Sequence, residues 1–115
     1  MSSQVDCLFC KIVAGEVPAS VVRESERTLA FRDVSPQAPT HVLVVPKEHY
    51  QDAPALAAGD PLAMAEVISA GAAVAEQDGI EAFRLVFNTG AEAGQSVFHA
   101  HLHVLGGRAL SWPPG

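Results

Sequence analysis

The densest concentration of reactive side chains in this chain is His99-Ala100-His101-Leu102-His103-Val104-Leu105, three histidines at alternate positions. A period of two is that of a strand. On an extended backbone His99, His101 and His103 share one face at roughly 7 Å intervals, while Ala100, Leu102 and Val104 face the core. On a helix the three rings would diverge. Imidazole is an awkward filler for a strand face, because its nitrogens need partners. The run therefore reads as a three-histidine metal centre or as nucleophilic or acid–base chemistry on an anion, with structural accident as the remaining alternative. His-x-His on a strand suits zinc or copper, yet no carboxylate stands close by. The preceding Gly94-Gln95-Ser96-Val97 offers small residues, a hydroxyl and backbone N–H groups able to form an anion-binding nest. Gly-rich turns between strands are common; beside three histidines, this one points to phosphate.

Cys7-Leu8-Phe9-Cys10 is a second constellation. Two cysteines are too few for a disulfide scaffold, and the C-x-x-C spacing points to metal or redox chemistry. One tetrahedral zinc suits that spacing but needs two further ligands. No βαβ pattern surrounds the pair, which disfavours a redox dithiol; two inert thiols remain open.

The elements that must position these groups are short. Cys7 to Val13 reads as a short helix closed by Ala14-Gly15. Val21-Val22, Leu29 to Arg32, His41 to Val45, Phe83 to Phe87 and His99 to Leu105 read as five strands. Asp60-Pro61 is a capping side chain followed by the residue best tolerated at the first helical position. The long helix it starts runs to about Asp78, with Leu62, Ala65, Ile68, Ala72 and Ala75 as its apolar stripe and Gly79 as its stop. The segment between Tyr50 and Pro61 carries no assignment. Strands with few helical crossovers favour an α+β fold, an antiparallel sheet with helices packed on it.

At 115 residues the chain is expected to be one domain, 1–115. No apolar run approaches the roughly 18 residues of a membrane span, and Met1 to Asp6 lack the pattern of a secretory signal, so a cytoplasmic home without membrane attachment is expected. A net charge of −6 argues against nucleic acid or anionic membrane as partner. It leaves room for a small phosphate ligand held by local donors.

His99-Ala100-His101-Leu102-His103-Val104 resembles the signature of the histidine triad (HIT) family, alternating histidine and apolar residues, and Gly94-Gln95-Ser96-Val97 extends it. Further matches are Phe31-Arg32-Asp33-Val34-Ser35-Pro36-Gln37-Ala38-Pro39-Thr40-His41, Val44-Val45-Pro46-Lys47-Glu48-His49, Gly106-Gly107-Arg108 and Trp112-Pro113-Pro114-Gly115. The likeness covers nearly the whole chain and is greatest to the histidine triad nucleotide-binding branch.

The resemblance implies an antiparallel sheet with two helices, joined to a second copy across a two-fold axis as a homodimer. It implies a purine nucleoside phosphoramidase in which His101 attacks the α-phosphorus of an adenylylated or similar amine, giving a nucleotidyl-histidine that water hydrolyses. His103 and Ser96 would hold the phosphate or the leaving group, with N–H groups near Ser96 and Val97 receiving charge; His41 and Asn88 would line the same site. Gly94 and Gln95 would belong to the phosphate loop. Asp33 would take the ribose hydroxyls, and Leu8, Phe9, Ile12, Phe31, Val34 and Leu43 would enclose the purine. Asp33 as a turn cap, Asn88 as a turn residue and the apolar set as ordinary core are the plainer alternatives. Trp112 would lie near the partner's site on the leaving-group side. By the same likeness His49 and His99 would complete a structural zinc site with Cys7 and Cys10, no metal being required for catalysis. A dinucleoside polyphosphate hydrolase, and a nucleotide-binding regulatory or scaffold protein with incidental hydrolysis, are the competing functions. Ala93 stands where the family's close members suggest glycine, and a positive φ there would strain it.

Overall fold

A computed structural model describes residues 6–115. The N-terminal segment read for a secretory pattern lies, apart from Asp6, outside the described residues. In chain order the elements are α1 (Leu8–Val13), β1 (Val21–Glu24), β2 (Thr28–Arg32), β3 (Thr40–Pro46), α2 (Ala53–Gly59), α3 (Pro61–Gln77), β4 (Phe83–Val86) and β5 (Leu102–Gly106). The strands form one antiparallel sheet in the order β1-β2-β3-β5-β4, the α+β architecture expected. Among the described residues no helix is long and apolar enough to cross a membrane.

Hydrophobic burial on both faces of the sheet sets this arrangement. On one face Ala30, Val42, Val44, Leu102 and Val104 pack with Leu56 of α2 and Ala63, Val67, Ala70 and Val74 of α3. On the other, Leu29, Phe31, Leu43 and Val45 pack with Phe9 of α1. β3 is buried along its whole length, as expected for a central strand rich in β-branched residues.

The helices differ from the sequence expectation in two ways. α2 occupies the unassigned stretch after Tyr50: Asp52 accepts from the Ala55 N–H at 3.0 Å and Pro54 stands in the first turn, the same capping logic that starts α3 at Asp60-Pro61. Asp60 both ends α2 and caps the Ala63 N–H of α3 at 3.1 Å. In α3 the buried stripe is Ala63, Val67, Ala70, Gly71, Val74 and Ala75; of the expected stripe only Ala75 is buried, and Leu62 and Ile68 are exposed. The helix carries two apolar stripes, and close approach to the sheet selects the one made of small residues. A Cβ on Gly71 would sit 2.8 Å from Leu102 Cδ2 and 3.3 Å from Val104 Cγ2.

β5 is also shorter than the histidine run. Extending the β3–β5 register by two residues would set Pro46 opposite Ala100, and proline has no N–H for the ladder. The Ala100 N–H goes to the Tyr50 carbonyl instead, at 2.7 Å. His99 and His101 therefore stand on an extended lead-in to the strand. Ala100, Leu102 and Val104 are buried on the helix side, as the alternation predicts.

Gly71→Ala is expected to destabilise the fold by about 1–2 kcal/mol in a urea titration, overpacking at Leu102 and Val104 outweighing the gain of about 1 kcal/mol in helix propensity. A stabilised variant would show that the helix can lift from the sheet at no cost.

Candidate active site

The face opposite α3 carries a cleft of about 380 Å³ between α1, β2, β3 and the lead-in to β5. Leu8, Phe9, Ile12, Phe31, Asp33, Val34, Leu43, Ser96, Val97, His101 and His103, all singled out from the sequence, line it. The sheet register explains how residues distant in sequence meet. Phe31 pairs with Leu43 and Leu43 with His103, so their side chains stand in one row on one face.

Hydrogen bonds to groups with fixed roles set the tautomers of the rings. His101 Nδ1 lies 2.8 Å from the His99 carbonyl, which only accepts, so Nδ1 carries the proton and Nε2 keeps its lone pair. The Gln37 N–H donates to His41 Nδ1 at 3.0 Å, which leaves the proton of neutral His41 on Nε2. His41 Nε2 in turn stands 2.9 Å from His103 Nδ1. His41 therefore donates, His103 Nδ1 accepts, and the His103 proton sits on Nε2. Burial holds the triad rings neutral: desolvation lowers the pKa of His101, and lowers that of His103 to about 4 with help from the neighbouring His101 and His41. The site thus presents one imidazole with a lone pair on Nε2 and its neighbour with an N–H on Nε2.

Asp33 caps a turn and also borders the cleft. One carboxylate oxygen accepts from the Ser35 N–H at 2.8 Å, a turn cap, while the other lies 3.4 Å from His41 Nε2 and the residue borders the cleft. Val34 lines the rim but is 98% exposed, so the bare chain leaves that side open. His41 acts from behind His103 and does not itself line the cleft.

Gly94, Gln95 and Asn88 are not among the cleft-lining residues; they shape the loop that presents Ser96 and Val97. Gln95 is buried, its carbonyl accepting from the Gly90 N–H at 2.8 Å and its amide donating to the Gln51 and Val97 carbonyls. The positive φ falls on Gly90 and Gly94, so Ala93 is unstrained. Among the described residues neither the Ser96 nor the Val97 N–H has a hydrogen-bond partner. Trp112 is 80% exposed and outside the cleft of its own chain, the tail being held near β4 by Arg84 donating to the Ser111 carbonyl at 3.0 Å. Pro18, Ala19, Ser20 and Arg32 also line the cleft. Nothing in their local pattern marks them, and Gln37 contributes a backbone N–H that any residue would supply.

Cys7, Cys10, His49 and His99 converge beside the cleft, their ligand atoms all within 4.8 Å of one another. Cys7 Sγ is 3.3 Å and Cys10 Sγ 3.5 Å from His99 Nδ1, and Cys10 Sγ is 3.4 Å from His49 Nδ1. Tetrahedral zinc, with Zn–S of about 2.3 Å and Zn–N of about 2.0–2.1 Å, sets S···N separations of about 3.6 Å. His99 Nε2 donates to the Pro46 carbonyl at 2.8 Å, which turns a bare Nδ1 toward the thiols in the manner of a metal-ligating histidine. Burial lowers the pKa of His99 to about 4, so the ring is neutral and ready to ligate. The donor set and its spacing fit a four-coordinate metal.

The HIT domain family profile matches residues 14–110. A "14 kDa zinc-binding protein" of Zea mays is 43% identical over 94% of this chain and 87% of its own length. The "Purine nucleoside phosphoramidase" of Escherichia coli is 40% identical over 91% of this chain and 90% of its own. Among solved structures, a HIT family hydrolase of Legionella pneumophila superposes with a TM-score of 0.91 at 46% identity, covering 96% of this chain and all of its own.

The neutral rings make the fold acid-sensitive. The unfolded chain takes up a proton at position 103 below the usual histidine pKa of about 6.5, whereas the folded chain does so only near 4. Stability should therefore fall as pH is lowered from 6.5 to 4, with a shallower slope in His103→Gln. Imidazole nitrogen NMR near neutral pH should find the proton on Nδ1 of His101 and on Nε2 of His103; the opposite pattern would reverse their roles.

Proposed function

The chain belongs to the HIT family, and from that premise we propose that it is a purine nucleoside phosphoramidase, releasing an amine from the α-phosphate of a nucleoside monophosphate through a nucleotidyl-histidine. The observation that carries this reading is the bond from His101 Nδ1–H to the His99 carbonyl. It leaves Nε2 as a nucleophile beside an apolar slot, a carboxylate and a hydroxyl in one cleft. The name of the Escherichia coli relative supports that substrate class.

In this reaction the purine lies between Phe9, Ile12, Phe31 and Leu43, with Leu8 and Val34 at the rim, and Asp33 accepts from the ribose hydroxyls. His101 Nε2 forms a bond to phosphorus as the P–N bond breaks, and the amine leaves with a proton taken from water. The hydroxide so left attacks the phosphorus, the histidine–phosphorus bond breaks with its electron pair returning to Nε2, and the nucleotide and the neutral ring are released. Ser96 and the N–H groups of Ser96 and Val97 receive the phosphoryl oxygens. His103 contributes the hydrogen bond of its Nε2–H. Surrendering that proton outright would leave an imidazolate, because the Gln37 N–H already occupies His41 Nδ1 and His41 has only one proton to share.

Zinc in the Cys7, Cys10, His49 and His99 cluster would be structural, since four protein ligands leave no open coordination position. The name of the maize relative supports that choice of metal. A homodimer is supported by β4, which ends the sheet as an open edge, and by the exposed Phe83, Leu62 and Ile68. Trp112, exposed on its own chain, would then serve the partner's leaving-group side.

Hydrolysis of an adenosine phosphoramidate, followed with intact-mass detection of adenylylated protein, tests the reading. Wild type should turn over and carry the adduct on His101, and His101→Ala should lose about a thousandfold or more in kcat. Turnover retained in His101→Ala would remove the mechanism. Deleting the residues after Arg108 should alter the relative rates for different amines; equal rate ratios would show that the tail plays no part in choosing the leaving group.

A further inference from the structure

The lead-in to β5 carries the nucleophile, yet it lies outside the sheet ladder, which starts at Leu102. What holds it runs through the cysteine–histidine cluster. His99 is tied by Nδ1 to both thiols and by Nε2 to the Pro46 carbonyl. Ala100 hangs from the carbonyl of Tyr50, the residue next to the cluster's His49. The ring of Phe9, the residue just before Cys10, meets the His101 ring edge-on, centroids 5.0 Å apart at 85°, and the His99 ring at 6.0 Å. Phe9 is 4% exposed and packs against Phe31, so it has little freedom of its own.

The carbonyl that fixes the nucleophile's tautomer thus comes from a residue that the cluster holds, and Phe9, between the two cysteines, meets the plane of its ring from one side while the tilted His103 ring stands 5.0 Å away. His103 is held otherwise: β5 pairs it with Leu43, and His41 bonds its Nδ1. We propose that the Cys7, Cys10, His49 and His99 cluster is a positioning device for His101, with His99 as the positioning residue, so that metal occupancy sets the orientation of the nucleophile and leaves the His41–His103 pair untouched. A brace for the fold as a whole would act on all three rings alike. Because His99 holds the reacting group and does not line the purine slot, metal loss should lower kcat and spare KM.

The test compares zinc-loaded wild type, the same protein stripped by a chelator and then given zinc again, and Cys10→Ser. The far-ultraviolet circular dichroism should stay native throughout. The His101 Nδ1–H signal should shift or broaden on stripping and in Cys10→Ser, and recover with zinc, while the signals of His41 and His103 stay in place. With an adenosine phosphoramidate, kcat should fall at least about tenfold and KM change less than about threefold. An unmoved His101 signal, a common shift of all three rings, loss of the native fold on stripping, or failure to take up zinc would each overturn the proposal. The kinetic arm rests on the phosphoramidase reading and the NMR arm does not. Absence of turnover by the zinc-loaded wild type would defeat that reading and leave the positioning role to be decided by the rings.

Discussion

The pairing of Leu43 with His103 at the centre of the sheet fixes more of this molecule than any other contact, because a slip of one residue along β5 would exchange its two faces. In the register that forms, Leu102 and Val104 enter the core under α3 and His103 enters the cleft. His41 lies on the same face, one step along the neighbouring strand, and that diagonal is what lets the two rings meet at 2.9 Å. The hydrophobic side of the strand specifies the register, and the polar side inherits its geometry. The cleft face of the strand therefore takes its geometry from the core on its reverse.

The same register carries its own limit. Pro46 ends the ladder where Ala100 would have paired, and past that point the backbone must find partners elsewhere. It finds them in the Tyr50 carbonyl and, through a side chain, in the carbonyl of Pro46 itself. A proline that closes a strand thus both takes the His99–His101 segment out of the ladder and supplies one of the acceptors that restrain it. The side chain so restrained is also a member of the cysteine–histidine cluster, which places site and cluster on one short stretch of chain.

How much of this could be read from the sequence depends on whether a signal was local. The alternation in the histidine run survives beyond the end of β5, because an extended chain keeps its period of two with or without a ladder partner. The C-x-x-C pair and the Asp60-Pro61 cap are local in the same sense. The stripe of α3 is not: two apolar faces compete, and the winner is set by how closely Gly71 lets the helix approach Leu102. α2 had a readable cap at Asp52 with Pro54 behind it, a signal missed because the run that follows is almost all alanine and lacks periodicity. Ser20 and the N–H of Gln37 were beyond reach, since a cleft border and a backbone donor depend on tertiary placement alone.

The electrostatics of the cleft follow from the same economy of parts. Of the described residues lining it, Arg32 is the only lysine or arginine, and its guanidinium is committed to Asp78 in a two-pronged pair at 2.8 and 3.1 Å. The cleft of a chain of net charge −6 thus presents neutral donors: a hydroxyl, imidazole N–H and backbone N–H groups. Such donors cost less to desolvate than a free ammonium or guanidinium and can be aimed at the oxygens where charge gathers. They also suit a neutral His101. The burial that makes neutral donors effective also lowers the pKa of His101, keeping on Nε2 the lone pair that a solvent-exposed imidazole would share with a proton over part of the physiological range.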